Sequence, residues 1–181
     1  MSLMRLFIGL DLPGNLKEKI FVVSQKIGKE IPCKLVEKEN LHLTLVFLGE
    51  RTTEESERIK EILSEGTKGF KNFYLRLGEG EFFPAGRPRG IWLKIEGETD
   101  KLRQLHQKII DCLSKNGIQL KDLRFIPHCC LCRLKGKVEK GMKIEKMGPE
   151  NRFAAEKITL FESRLSLKGP TYFKLQEFDL E

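Results

Sequence analysis

The chain has 181 residues, 40% hydrophobic and 33% charged. That composition fits a self-contained globular fold and excludes a membrane-spanning helix, because no apolar run approaches the roughly 18 residues such a helix needs. Lys and Arg exceed Asp and Glu by 33 to 26, a formal charge of +7 that favours polyanionic partners such as nucleic acid.

In chain order, "RLFIGLDLP" reads as a buried strand closed by Pro13 and not as a secretory signal. The next segment, "PGNLKEKIFVVSQKIGKE", carries Leu16, Ile20, Val23 and Ile27 at helical spacing. "LVEKENLHLTLVFLGE" predicts a returning strand, and "TTEESERIKEILSEGTKG" a helix with a Thr cap and an acidic first turn. From Phe73 the pattern is extended through "FYLRLGEGEFFP", the loop "AGRPRG" and the strand "IWLKIEG". "TDKLRQLHQKIIDCLSKNG" predicts an amphipathic helix with Leu102, Leu105, Ile109, Cys112 and Leu113 inward, His106 on its surface and Gly117 at its end. "RFIPHCCLCRL" predicts a strand, and "AAEKITLFESRLSLKGPTYFKLQEFDL" a hairpin turning at "LKGPTY".

Strand, helix and histidine-bearing strand therefore occur twice, with 32 residues from Leu10 to His42 and 33 from Ile95 to His128. No Pro/Ser-rich linker separates the halves. The expectation is an α+β fold in which two strand-helix-strand units form one bilobal domain over residues 1–181, with histidine motifs at 42–45 and 128–131. Residues 121–146 carry a net +5, which would draw a phosphate-bearing substrate toward the second motif.

Side chains alternate faces along a strand, so His42 and Thr44 point one way, as do His128 and Cys130. By the same alternation Leu43, Leu45 and Phe47 face the opposite side. Two imidazoles facing each other across a cleft suit general acid and base duty near neutral pH. In-line displacement at phosphorus needs that pair, plus donors to the nonbridging oxygens such as Thr44. A Cys–His acyl transferase using Cys130 is the competing chemistry, weakened because neighbours one pleat apart diverge.

No Gly-rich phosphate loop or HExxH motif offers a seat for nucleotide cofactor or metal. "HCCLC" lacks the second separated ligand pair that zinc sites use, so the expectation is no metal and no cofactor. Five cysteines, an odd and clustered number, argue against a disulfide framework and for a reducing cytoplasm.

"RLFIGLDLP", "ENLHLTLVFLGE", "RPRGIWLKIEG", "PHCCLCR" and "LFESRL", in that order over nearly the whole chain, resemble the two-histidine phosphoesterases, in particular the RNA 2',3'-cyclic phosphodiesterase and 2'-5' RNA ligase branch. The resemblance implies a pseudo-twofold fold with a central cleft between sheets, no metal or nucleotide cofactor, and a substrate of RNA ends or cyclic nucleotides bearing a 2',3'-cyclic phosphate. The sequence itself gives no sign of a membrane association or an obligate protein partner. It assigns His42 and His128 as the acid–base pair, Thr44 as a phosphate ligand and Arg133 as a clamp. Strict alternation puts Arg133 on the opposite face from His128, so that role requires a bend or bulge in the strand, or a reach around its edge. The family's second motif has Thr where this chain has Cys130, and a thiol is the weaker donor. A nucleotide- or RNA-end-binding module with little catalysis is the alternative. Arg87 and Arg89, on an exposed loop, are left outside the site.

Overall fold

A computed structural model describes residues 3–136, 144, 147–148, 150–167 and 169–181. Strand β1 (Leu3–Asp11) leads to helix α1 (Gly14–Glu30), a short strand β2 (Cys33–Leu35), a 3₁₀ turn (Lys38–Asn40) and strand β3 (His42–Thr52). Helix α2 (Thr53–Thr67), strands β4 (Phe73–Phe83) and β5 (Gly90–Gly97), helix α3 (Thr99–Lys115) and strand β6 (His128–Leu134) follow. Strands β7 (Arg152–Ala155), β8 (Lys157–Ser166) and β9 (Gly169–Asp179) complete the order.

The helices form where the apolar period and the caps agree. In α2 the Thr52 hydroxyl accepts from the Glu55 backbone N–H while the Glu55 carboxylate accepts from the Thr52 N–H, the reciprocal box that starts a helix. In α3 Leu102, Leu105, Ile109 and Leu113 are buried, and Gly117, at φ +76°, terminates it in the left-handed conformation that a side chain would strain. His106 corrects the surface assignment: it is buried and stacks on Phe125, ring centroids 4.3 Å apart. The α3 stripe is wide enough to include position i+1 beside Leu105, and the segment after the helix folds back over it.

All strand pairings are antiparallel, in the order β7-β4-β5-β6-β3-β1-β8-β9, with β2 also on β6. One half is β7-β4-β5-β6 and the other β3-β1-β8-β9. Among the described residues they meet at a single register pair, Leu43 with Cys129. Beyond it the same edge of β6 is taken by β2, through Cys132 with Leu35 and Cys33 with Leu134. The seam therefore forks where β3 begins at His42 and β2 takes over the edge of β6.

Two further expectations change. The strand of the first motif begins only at His42, because the 3₁₀ turn reverses the chain immediately before it. The carboxy-terminal segment is more than a hairpin: Arg152–Ala155 pairs with β4 in the other half, and the chain crosses at Glu156 before β8 and β9 form their hairpin. Lys137, Glu139, Lys140, Lys143, Glu145 and Lys146, which supplied much of the local basic excess, lie outside the described residues.

Candidate active site

Both histidine strands carry a bulge at the same point. In β3 the register passes from Thr44 opposite Gly9 to Val46 opposite Ile8, leaving Leu45 extra. In β6 it passes from Cys130 opposite Trp92 to Cys132 opposite Ile91, leaving Leu131 extra. Two consecutive residues then face the core on each strand, Leu45 with Val46 and Leu131 with Cys132, and the alternation resumes out of phase. Arg133 is thereby turned to the side of His128 and Cys130. Phe47 is turned the same way, against the alternation reading: it is 61% exposed and lines the cleft.

His42, Thr44, His128, Cys130 and Arg133 border one cavity of about 250 Å³ at the fork, closed by β2 and the β8–β9 turn. It opens into a larger cleft of about 1020 Å³ that the same five residues share. Cys129 and Cys132 are fully buried, and Cys132 also borders the larger cleft. Among the described residues no group of three or more His, Cys, Asp or Glu side chains converges as metal ligands.

Each imidazole is oriented by its own strand. His42 Nδ1 lies 2.7 Å from the Asn40 carbonyl, and His128 Nδ1 lies 2.7 Å from the Ile126 carbonyl, in both cases two residues back. A carbonyl only accepts, so both Nδ1 atoms carry the hydrogen and both Nε2 atoms are left for chemistry. The Thr44 hydroxyl sits 2.8 Å from His42 Nε2 and donates to it while the ring is neutral. The Cys130 thiol points to the Cys132 carbonyl, 3.7 Å away.

The walls differ between the halves. His42 is enclosed by Phe7, 4.9 Å away between centroids, and by Tyr172, 5.1 Å away and edge-on. Gly9, opposite Thr44, leaves room for this ring: a Cβ there would lie 2.7 Å from the Leu43 carbonyl oxygen and 3.4 Å from His42 Cδ2. The equivalent position opposite Cys130 is Trp92, which stacks on His128 at 3.5 Å and on Phe83 at 3.6 Å.

Burial pushes the His42 pKa down to about 4, against the opposing pull of the Asn40 carbonyl and the Asp11 carboxylate. Burial also lowers His128, opposed by the Ile126 carbonyl. Both rings are therefore mainly neutral at pH 7. Burial raises the Cys130 thiol, so it stays protonated there, which disfavours a thiolate nucleophile.

Four arginines line the larger cleft: Arg5, Arg87, Arg89 and Arg133. The sequence reading set Arg87 and Arg89 aside and passed over Arg5, Trp92, Tyr172 and Gly9. The β4–β5 loop borders the cleft through Pro84, Arg87 and Arg89, which local pattern does not reveal.

The LigT-like phosphoesterase family model matches residues 10–92. The chain is 33% identical over 180 residues to the RNA 2',3'-cyclic phosphodiesterase of Archaeoglobus fulgidus, covering 97% of this chain and 100% of that one. It is 32% identical to the protein of the same name from Thermotoga maritima, covering 98% and 96%. Among solved structures it resembles TT0787 of Thermus thermophilus with a TM-score of 0.82, at 29% identity and 98% coverage of both chains. It also resembles E. coli LigT complexed with 3'-AMP, with a TM-score of 0.80, 26% identity and 99% coverage of both chains.

Proposed function

This chain belongs to the LigT-like phosphoesterases, hydrolases of phosphodiester bonds, and from that premise we propose that it opens the 2',3'-cyclic phosphate at an RNA end to leave a 2'-phosphate. The observation that carries the reading is the pair of imidazoles, each with Nδ1 held by its own backbone, bordering one cavity at the seam of the two half-sheets. On this reading the two lobes act as one domain over residues 1–181, since neither half holds both proton-transfer groups.

In the proposed step His128 Nε2 takes a proton from water as its oxygen attacks phosphorus. The bond from phosphorus to the 3' oxygen breaks, and His42, entering as imidazolium, gives that oxygen its proton from Nε2. The products are a 2'-phosphomonoester and a free 3' hydroxyl, and the two rings exchange protonation states. In the free protein burial keeps His42 neutral; the negative charge of the bound cyclic phosphate opposes that burial and draws a proton onto Nε2. Thr44 and Arg133 hold the nonbridging oxygens, Arg133 by charge-assisted bonds, and Cys130 is a weak third donor. With a 5' hydroxyl in place of water, His128 takes its proton as the 5' oxygen attacks phosphorus, the bond to the 3' oxygen breaks and His42 protonates that oxygen, so the same pair serves ATP-independent 2'-5' RNA ligation.

RNA ends and cyclic nucleotides are the proposed substrates, in keeping with the names of the relatives and the four cleft arginines. Five free cysteines support a reducing, cytoplasmic setting, and among the described residues no helix is long and apolar enough to cross a membrane.

The test is turnover of a nucleoside 2',3'-cyclic phosphate in the presence of EDTA. His42→Ala and His128→Ala are each expected to lower the rate by roughly 10² to 10⁴, the worth of one proton transfer. Tight nucleotide binding without turnover by the wild type would replace this reading with a binding module. Loss of activity in Cys130→Ser but not in His42→Ala would replace it with a thiol enzyme.

A further inference from the structure

We infer that the hydroxyl of Tyr172 contacts the substrate phosphate from the His42 side of the cavity, as a second hydroxyl donor beside Thr44 where the Cys130 thiol is turned to its own backbone. The inference rests on the phosphodiesterase reading and names a residue that reading does not use.

The two motifs are unequal as donors. Thr44 offers a hydroxyl 2.8 Å from His42 Nε2, within the cavity. Cys130, its counterpart, has a thiol engaged with the Cys132 carbonyl at 3.7 Å, so its hydrogen points along the strand. A phosphoryl group between the histidines would find a hydroxyl on one side and little on the other, although charge develops on its oxygens whichever imidazole acts first.

Tyr172 is the other hydroxyl-bearing side chain that borders both the small cavity and the larger cleft. Among the described residues no hydrogen bond is found to its hydroxyl, and the residue is half-buried. The ring is not free to swing. It stands edge-on to His42, 5.1 Å away at 85°, and edge-on to Phe7, 4.9 Å away at 72°. Its backbone N–H donates to Asn40 Oδ1 at 3.3 Å, and Asn40 Nδ2 donates to the Pro170 carbonyl at 2.7 Å. Asn40 is only 7% exposed, and its own carbonyl fixes His42 Nδ1. One residue thus ties the phenol and the imidazole into a common frame, so a hydroxyl on this ring is aimed as firmly as the ring it flanks. Burial also raises the phenol's pKa, which keeps it a donor through alkaline pH.

The experiment compares wild type, Tyr172→Phe, Cys130→Thr and the double variant. Two readouts are used: kcat and KM on a nucleoside 2',3'-cyclic phosphate, and the Kd for adenosine 2'-phosphate. Tyr172→Phe keeps both ring contacts, so a merely structural tyrosine would leave everything unchanged. The expected result is a fall in kcat of about 10²-fold, the usual loss for one such donor, with the thermal midpoint unaltered and adenosine 2'-phosphate bound several-fold more weakly. Restoring a hydroxyl by Cys130→Thr in the Tyr172→Phe background should recover at least tenfold in kcat. Unchanged kcat and unchanged Kd in Tyr172→Phe would overturn the inference while leaving the phosphodiesterase reading intact. Absence of turnover in the wild type would overturn that reading, and the Kd comparison would still decide the role of Tyr172.

Discussion

Leu43 and Cys129 face each other as the register pair joining the two halves of the sheet, and each is fully buried beneath the cleft. Antiparallel pairing at this point sets His42 across from Cys130 and Thr44 across from His128. The two histidines become diagonal neighbours on the opposite face, a relation that spans roughly 7–8 Å between backbones in an antiparallel pair. A local twofold relation about Leu43 and Cys129 thus brings the two imidazoles to one cavity that both border. The duplication read along the chain acquires its chemical sense from this pair.

Replacing Gly9 by Ala tests the clearance around His42. The added Cβ would lie 2.7 Å from the Leu43 carbonyl oxygen, in the backbone of the strand that carries His42. Either β1 or β3 must shift, at a cost of about 1–3 kcal/mol for overpacking. We expect a thermal midpoint lower by several degrees and a kcat lowered at least tenfold at temperatures where the variant is fully folded. A destabilised variant of normal kcat would show that the position of His42 does not depend on Gly9.

Cys130→Thr, alone, should raise kcat. A hydroxyl is a shorter and stronger donor than a thiol, and one good oxyanion contact is worth up to about 3 kcal/mol. Because Tyr172 is inferred to cover part of that duty, a gain of roughly tenfold is expected, measured under saturating cyclic phosphate. An unchanged or lower rate would count against a donor role at position 130.

Stability should depend on pH through His42. Its folded pKa, about 4, lies below the ordinary value of 6.5, so the unfolded chain binds the proton first as pH falls. The group's effect is absent above pH 6.5, grows to a loss of about 3 kcal/mol as pH falls to 4, and levels off below that. Urea midpoints for wild type and His42→Gln across this window provide the check. Parallel curves for the two proteins would mean that His42 is not held neutral by burial.

Arg87 and Arg89 border the larger cleft, on the β4–β5 loop, beyond the histidines. If they neutralise backbone phosphates upstream of the RNA end, the Arg87→Ala/Arg89→Ala variant should raise KM more for an oligonucleotide than for a mononucleotide. Its binding should also be less salt-dependent, the log–log slope falling by about 1.4 at roughly 0.7 per single-strand contact. An unaltered slope would remove these arginines from the RNA path.

Local pattern determined most of the elements. The apolar stripes of α1 and α3, the Thr52 box of α2 and the extended runs around Phe73 and Ile91 need only neighbours in sequence, because capping and amphipathic burial act within one or two turns. The two histidines and Thr44 were legible for a similar reason: a two-residue spacing on a strand fixes a shared face. What tertiary structure alone decided lies across strands. The bulges at Leu45 and Leu131, which turn Phe47 and Arg133 into the cleft, are properties of a register between two strands and leave no mark on either one. The same holds for Trp92 against His128, for the Asn40 tie to Tyr172, and for the crossing of Arg152–Ala155 to the far half. Those contacts join residues separated by 36 to over 100 positions, and their energy depends on which surfaces the folded chain brings together.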